Sequence, residues 1–120
     1  MSRIVVVEED QLMRELLAEW LSAEGYSVRP LANGDLKVQD EADLVIVDVY
    51  MPRRGGVSRL REIQAANPRT PLIAISGQFR PGLAGSSTAA RALGVHQVIA
   101  KPFTRRDLIA AVQDVIGPAH

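Results

Sequence analysis

The tetrapeptide LVIV, residues 44–47, ends in a carboxylate, Asp48. An apolar run of this kind reads as a strand buried on both faces. Ionising a carboxylate at its end is costly unless something stabilises the charge. Three other short segments carry groups suited to the same chemistry. Glu8, Glu9 and Asp10 follow the apolar run RIVVV (3–7), Ser76 ends LIAIS (72–76), and Lys101 follows HQVIA (96–100) and precedes Pro102. Taken singly, each is a solvated charge or a turn residue. Together, Glu8, Glu9 and Asp48 supply three carboxylates, joined by a hydroxyl and an ammonium. A carboxylate cluster binds a hard divalent cation such as Mg²⁺, which takes oxygen ligands and neutralises charges that could not otherwise all stay ionised. Such a cation also bridges to phosphoryl oxygens, where positioning and charge stabilisation supply most of the catalysis. The set suits phosphoryl transfer to a carboxylate. Asp48 is the nucleophile that forms an acyl phosphate, Lys101 offers a point positive charge to a phosphoryl oxygen, and Ser76 offers a hydroxyl donor.

Gathering residues so far apart in sequence requires elements that end at one place. The run 3–7 reads as a first buried strand. Leu12, Met13, Leu16, Leu17, Trp20 and Leu21 then recur at helical spacing, and Gly25 suits a left-handed helix end. YSVRPL (26–31) is a weaker strand, in which Pro30 favours an edge. A turn at Asn33-Gly34 and room for a very short helix follow. DLVIVD (43–48) is the third strand, and Ser58 can cap a helix carrying Leu60 and Ile63. NPRTP (67–71) stops that helix, because proline disfavours helix in the residue before it. LIAIS is the fourth strand. A Gly/Pro/Ser-rich loop leads to a helix around Thr88 to Leu93 that Gly94 ends. HQVIA is the fifth strand. Thr104 and Asp107 then form a capping pattern for a last helix with Leu108, Ile109, Val112, Val115 and Ile116 on its apolar face. Strand–helix repeated five times predicts right-handed crossovers and a parallel sheet covered on both faces. In such sheets ligands bind beyond the carboxyl ends of the strands, where all the singled-out residues fall.

Composition narrows the classes. The chain has 120 residues, enough for one domain over 1–120, with 47% apolar and 23% charged residues. Fourteen basic residues, twelve Arg with Lys37 and Lys101, balance fourteen acidic ones. A net charge of zero gives no pointer to nucleic acid or to a membrane surface. There is no cysteine, so disulfides and thiolate metal sites are excluded. No apolar stretch approaches a membrane span of ~18 residues, and the expected location is the cytoplasm. No P-loop and no GxGxxG appears, which disfavours a nucleotide or flavin enzyme.

The segments VVVEED, DLVIVDVYMP, PLIAIS and IAKPF, in this order and spacing, resemble the receiver domains of bacterial two-component response regulators over essentially the whole chain. The resemblance implies an α/β, flavodoxin-like (βα)₅ receiver fold, a five-stranded parallel sheet in the order 2-1-3-4-5. It implies that Asp48 accepts a phosphoryl group from a phosphohistidine on a sensor histidine kinase or histidine phosphotransfer protein. It further implies a metal shell for Mg²⁺ or Mn²⁺ with Glu9 as direct ligand and Glu8 acting mainly through water. Asp48 and the backbone carbonyl of Tyr50 complete that shell. Ser76 corresponds to the switch hydroxyl and Lys101 to the phosphate-pairing lysine. The expected partners are the phosphohistidine protein and a second copy of the chain, with no nucleic acid and no membrane. The chain stops after its last helix, so the expected output is through protein–protein contacts, with no enzymatic activity beyond its own phosphorylation and dephosphorylation. Several positions depart from the family. The acidic pair is Glu8-Glu9 where Asp-Asp or Glu-Asp is usual. Val98 aligns where Tyr or Phe is usual, and the loop after the acceptor reads Arg53-Arg54-Gly55-Gly56. These departures favour an alternative, a degenerate receiver that keeps the fold as a binding module without efficient phosphorylation. Of the remaining residues, Trp20 reads as core packing, His96 as structural or solvent-facing, and Phe79 as a loop aromatic.

Overall fold

The computed structural model describes residues 2–32, 42–49, 56–77, 90–91 and 94–119, with the backbone alone for 56–59. Five strands are β1 (Arg3–Val7), β2 (Ser27–Leu31), β3 (Leu44–Asp48), β4 (Leu72–Ser76) and β5 (Gln97–Ala100). The helices among the described residues are α1 (Gln11–Ala23), α2 (Gly56–Ala66) and α3 (Arg105–Ile116), and Ala90 and Arg91 are also helical. All strand pairs are parallel, in the order β2-β1-β3-β4-β5. The sequence-based expectation of the sheet is met. The Asn33-Gly34 turn, Tyr50, the Arg53–Gly55 segment, Phe79, and Thr88 and Leu93 at the ends of the expected fourth helix lie outside the described residues.

Alternation along the strands sends side chains into two cores. Val5, Val7, Val45, Val47, Ala74 and Val98 pack with Leu60 and Ile63 of α2 on one face. Ile4, Val6, Leu44, Ile46, Ile73, Ile75 and Ile99 pack with Leu17 and Leu21 of α1 and with Leu108 and Val112 of α3 on the other. Every residue of β3 and β4 is buried, as expected of central strands covered by helices on both sides. Pro30 lies in β2, at the sheet edge, where its missing N–H costs no ladder bond.

The helix ends follow local chemistry. Asp10 caps α1 by accepting a hydrogen bond from the Met13 amide (2.8 Å). Gly25, at φ +99°, turns the chain out of α1, while the Glu24, Gly25 and Tyr26 amides donate to carbonyls of its last turn. The Tyr26 hydroxyl then donates to the Gly117 carbonyl (2.9 Å), and Arg105 pairs with Glu24 (3.0 Å), so the start and end of α3 are both tied to the end of α1. Thr104 and Asp107 form the expected capping box of α3.

Two expectations are corrected. Helix α2 begins at Gly56, so Ser58 lies inside it and not at its cap. Leu12, assigned to the apolar face of α1, is 78% exposed. The face of α1 that packs on the sheet runs through Met13, Leu17, Trp20 and Leu21, and Leu12 lies off that stripe. Trp20 does pack, edge-on to Phe103 with ring centroids 6.5 Å apart.

The contrast between two leucines of one helix gives a test. Leu17→Ala should lower unfolding free energy by about 2–5 kcal/mol through cavity formation. Leu12→Ala should change it by no more than ~0.5 kcal/mol. Urea unfolding of both variants checks the assignment of the buried face.

Candidate functional site

Because the sheet is parallel, β1, β3, β4 and β5 all deliver their carboxyl ends to one edge. Val7 pairs with Val47, Asp48 with Ile75 and Ser76 with Ala100. The ladder continues past the strands, with the Val49 amide donating to the Ile75 carbonyl (2.8 Å) and the Lys101 amide to the Ser76 carbonyl (3.0 Å). This register brings Lys101 Nζ to 2.6 Å from Asp48 Oδ2 across 53 residues of sequence. The Asp48 side chain is 5% exposed and that of Lys101 26%. The charge-assisted hydrogen bond is what keeps a carboxylate tolerable at the end of a buried strand. Ser76 is buried beside them at the end of β4.

The acidic turn after β1 splits into three roles. Asp10 is the cap of α1. Glu9 is exposed. Glu8 is buried, its amide donates to the Leu31 carbonyl (3.0 Å), and its Oε2 accepts from the Asp10 amide (3.1 Å). Its Oε1 is buried without a hydrogen-bond partner. Burial first, and then the neighbouring Asp48 carboxylate, push Glu8 up to about 8, against the opposing Asp10 amide and Lys101 ammonium. Two ionised carboxylates have no proton between them, so a retained proton, a bound water or a cation has to satisfy Oε1. The hard oxygens of Glu8 and Asp48 therefore fit a hard divalent cation. Among the described residues, no group of three or more His, Cys, Asp or Glu side chains gathers to hold a metal. Glu9 is thus not brought together with Glu8 and Asp48, and the Tyr50 carbonyl lies outside the described residues.

Arg14, one turn into α1, was not legible as a site residue. Its Nη1 donates to the Glu8 carbonyl (2.9 Å) and the Glu9 carbonyl (3.3 Å). One guanidinium group thereby fixes the backbone of the acidic turn and places a positive charge behind it. The available signal was an arginine four residues after the capping aspartate, which reaches back over the first turn. Val98, in place of the family's usual aromatic, is buried in the α2-side core and pairs with Ala74.

Two expectations follow from this geometry. In the metal-free chain, Glu8 should ionise near pH 4.5 when unfolded but near 8 when folded. The unfolded state then binds fewer protons between these values, so stability should fall as pH rises through that window. Glu8→Gln should remove its share of the slope and raise the melting temperature at pH 8, as thermal melts across the range would show. Arg14→Met should weaken the Mg²⁺-induced rise in melting temperature without unfolding the chain. Arg14→Lys should restore only part of it, because an ammonium lacks the planar fork.

The chain matches the response regulator receiver domain family over residues 4–113. It is 28% identical over 123 residues to the transcriptional regulatory protein CpxR of Klebsiella pneumoniae, covering 100% of this chain and 51% of that protein. It is 30% identical over 118 residues to the response regulator MprA of Mycolicibacterium vanbaalenii, covering 95% of this chain and 50% of that protein. The chain thus spans about half the length of these curated relatives. The fold matches chemotaxis protein CheY4 of Vibrio cholerae at TM-score 0.75, with 24% identity over 96% of this chain and 98% of that one. It also matches response regulator TrrA of Thermotoga maritima, solved in complex with Mg(2+)-BeF, at TM-score 0.74 and 28% identity, over 96% of this chain and 99% of that one. With the fold, the strand-end lysine–aspartate pair and the family match agreeing, the chain belongs to the receiver domains of two-component response regulators.

Proposed function

We propose that Asp48 is the phosphoacceptor of this domain and takes its phosphoryl group from a phosphohistidine on a sensor histidine kinase or histidine phosphotransfer protein. The observation that carries the reading is the Lys101–Asp48 contact of 2.6 Å at the end of a fully buried strand, beside the unsatisfied Glu8 carboxyl. In the transfer, an Asp48 oxygen attacks phosphorus, the P–N bond to the imidazole breaks, and the histidine leaves carrying the bonding electrons. Lys101, already desolvated against Asp48, shifts its charge to a phosphoryl oxygen. Ser76 donates its hydroxyl to another. Glu8 and Asp48 would hold Mg²⁺ or Mn²⁺, with Glu9 and the Tyr50 carbonyl as further ligands. When bound, such a cation neutralises the phosphoryl oxygens during transfer. The domain works in the cytoplasm, and its output is a contact surface for another protein or a second copy of the chain. Among the described residues no helix is long and apolar enough to cross a membrane.

A second reading, a receiver that binds partners without efficient phosphorylation, is favoured by one observation. Glu9 is exposed and does not join Glu8 and Asp48 in a three-ligand group among the described residues. Intact-mass spectrometry after treatment with a small phosphodonor and Mg²⁺ separates the two. One added phosphoryl group, absent from Asp48→Asn and slower to form by about 10²-fold in Lys101→Ala, is the expected result. Labelling that persists in Asp48→Asn would place the acceptor elsewhere, and no labelling of the parent chain would select the second reading.

A further inference from the structure

At the opposite, amino-terminal edge of the sheet lies a groove of about 340 Å³ that takes no part in the site above. Its walls are the end of α2 with the turn into β4, and Arg91, Gly94 and His96 ahead of β5. Among the described residues, Arg61, Arg91 and His96 line it, together with carboxamides and a threonine, and no carboxylate does. All three basic residues are exposed. Among the described residues neither guanidinium makes an ion pair. In a chain of net charge zero, this leaves a local excess of positive charge on the two guanidinium groups, with no described carboxylate paired to it.

The groove is also built. Gln64 Nε2 donates to the Gly94 carbonyl (2.8 Å) and ties one wall to the other. Gly94 sits at φ +73°, and a Cβ there would come within 3.3 Å of Gln64 Nε2. Asn67 is buried and donates to the Ile63 carbonyl (2.9 Å), which holds the turn after α2. The wall amides are thus committed to structure, and recognition falls to the guanidinium groups and the imidazole.

We propose that this groove docks an acidic segment of a partner protein, with Asp or Glu carboxylates seated on Arg61 and Arg91. Guanidinium groups bind carboxylates through parallel hydrogen bonds, and their separate anchor points suit charges spaced along a peptide. A compact phosphate fits less well. The proposal is independent of phosphoryl chemistry at Asp48.

The test uses a fluorescent oligoglutamate peptide, with oligoglutamine of equal length as control, followed by anisotropy. Oligoglutamate should bind saturably and more weakly as salt rises. The double variant R61A/R91A should bind about tenfold more weakly, as loss of charge-assisted contacts implies, while melting like the parent. R61K/R91K should retain part of the affinity. Amide resonances of Gln64, Gly94 and His96 should shift on titration. Equal affinity of parent and R61A/R91A, equal binding of oligoglutamine, or shifts confined to other parts of the chain would overturn the proposal. Displacement of the peptide by equimolar inorganic phosphate would overturn it in favour of a small-anion site.

Discussion

A carboxylate at the end of a strand buried on both faces is the constraint around which this domain is organised. Asp48 continues a run of residues with no exposed surface, so its charge has little water to lean on. The 2.6 Å contact with Lys101 compensates for that desolvation. It also costs the protein a second buried group, because Glu8 lies on the other side of Asp48 and cannot ionise cheaply in the same space. The resulting pair of carboxyls with one ammonium is electrostatically incomplete. On the proposed reading, that incompleteness is what a cation or a phosphoryl group would resolve.

Holding such a cluster together demands a stiff support. Strands β3 and β4 are buried along their whole lengths, and the two cores grip them from opposite faces. The backbone ladder runs past Asp48 and Ser76 into Val49 and Lys101, so the site backbone is hydrogen-bonded as firmly as the sheet itself. Arg14 does for the acidic turn what the ladder does for the other strand ends. Among the described residues the turn has no strand neighbour beyond Leu31, and a side chain from α1 supplies donors there.

The sheet was legible because its strands are short β-branched runs closed by single polar residues, a pattern with few alternative folds. The capping of α3 was legible because Thr104 and Asp107 have the spacing that two reciprocal hydrogen bonds require. Other features depend on distances that sequence does not carry. Apolar type put Leu12 on the buried face of α1, but the stripe that packs runs through Met13, Leu17, Trp20 and Leu21 and leaves Leu12 outside it. Ser58 has the right chemistry for a cap, yet α2 starts earlier, at Gly56. Consecutive glutamates look equivalent in sequence, whereas the turn after β1 buries Glu8 and leaves Glu9 exposed. Arg14 carries only its spacing from Asp10 as a signal, because its partners are backbone carbonyls, which have no sequence signature.

The same parallel topology explains why charge of opposite sign gathers at the two edges. Every strand ends at the edge that carries Glu8, Asp48 and Lys101, and every strand begins at the edge that carries Arg61, Arg91 and His96. At the first edge the Asp48 side chain keeps only 5% of its surface exposed. Loops at the second leave their cations exposed and unpaired among the described residues. A buried charge must be matched within the fold, but an exposed one can wait for a partner at little cost in stability. The buried edge is therefore where chemistry is confined, and the exposed edge is where selectivity for another molecule can be added without disturbing it.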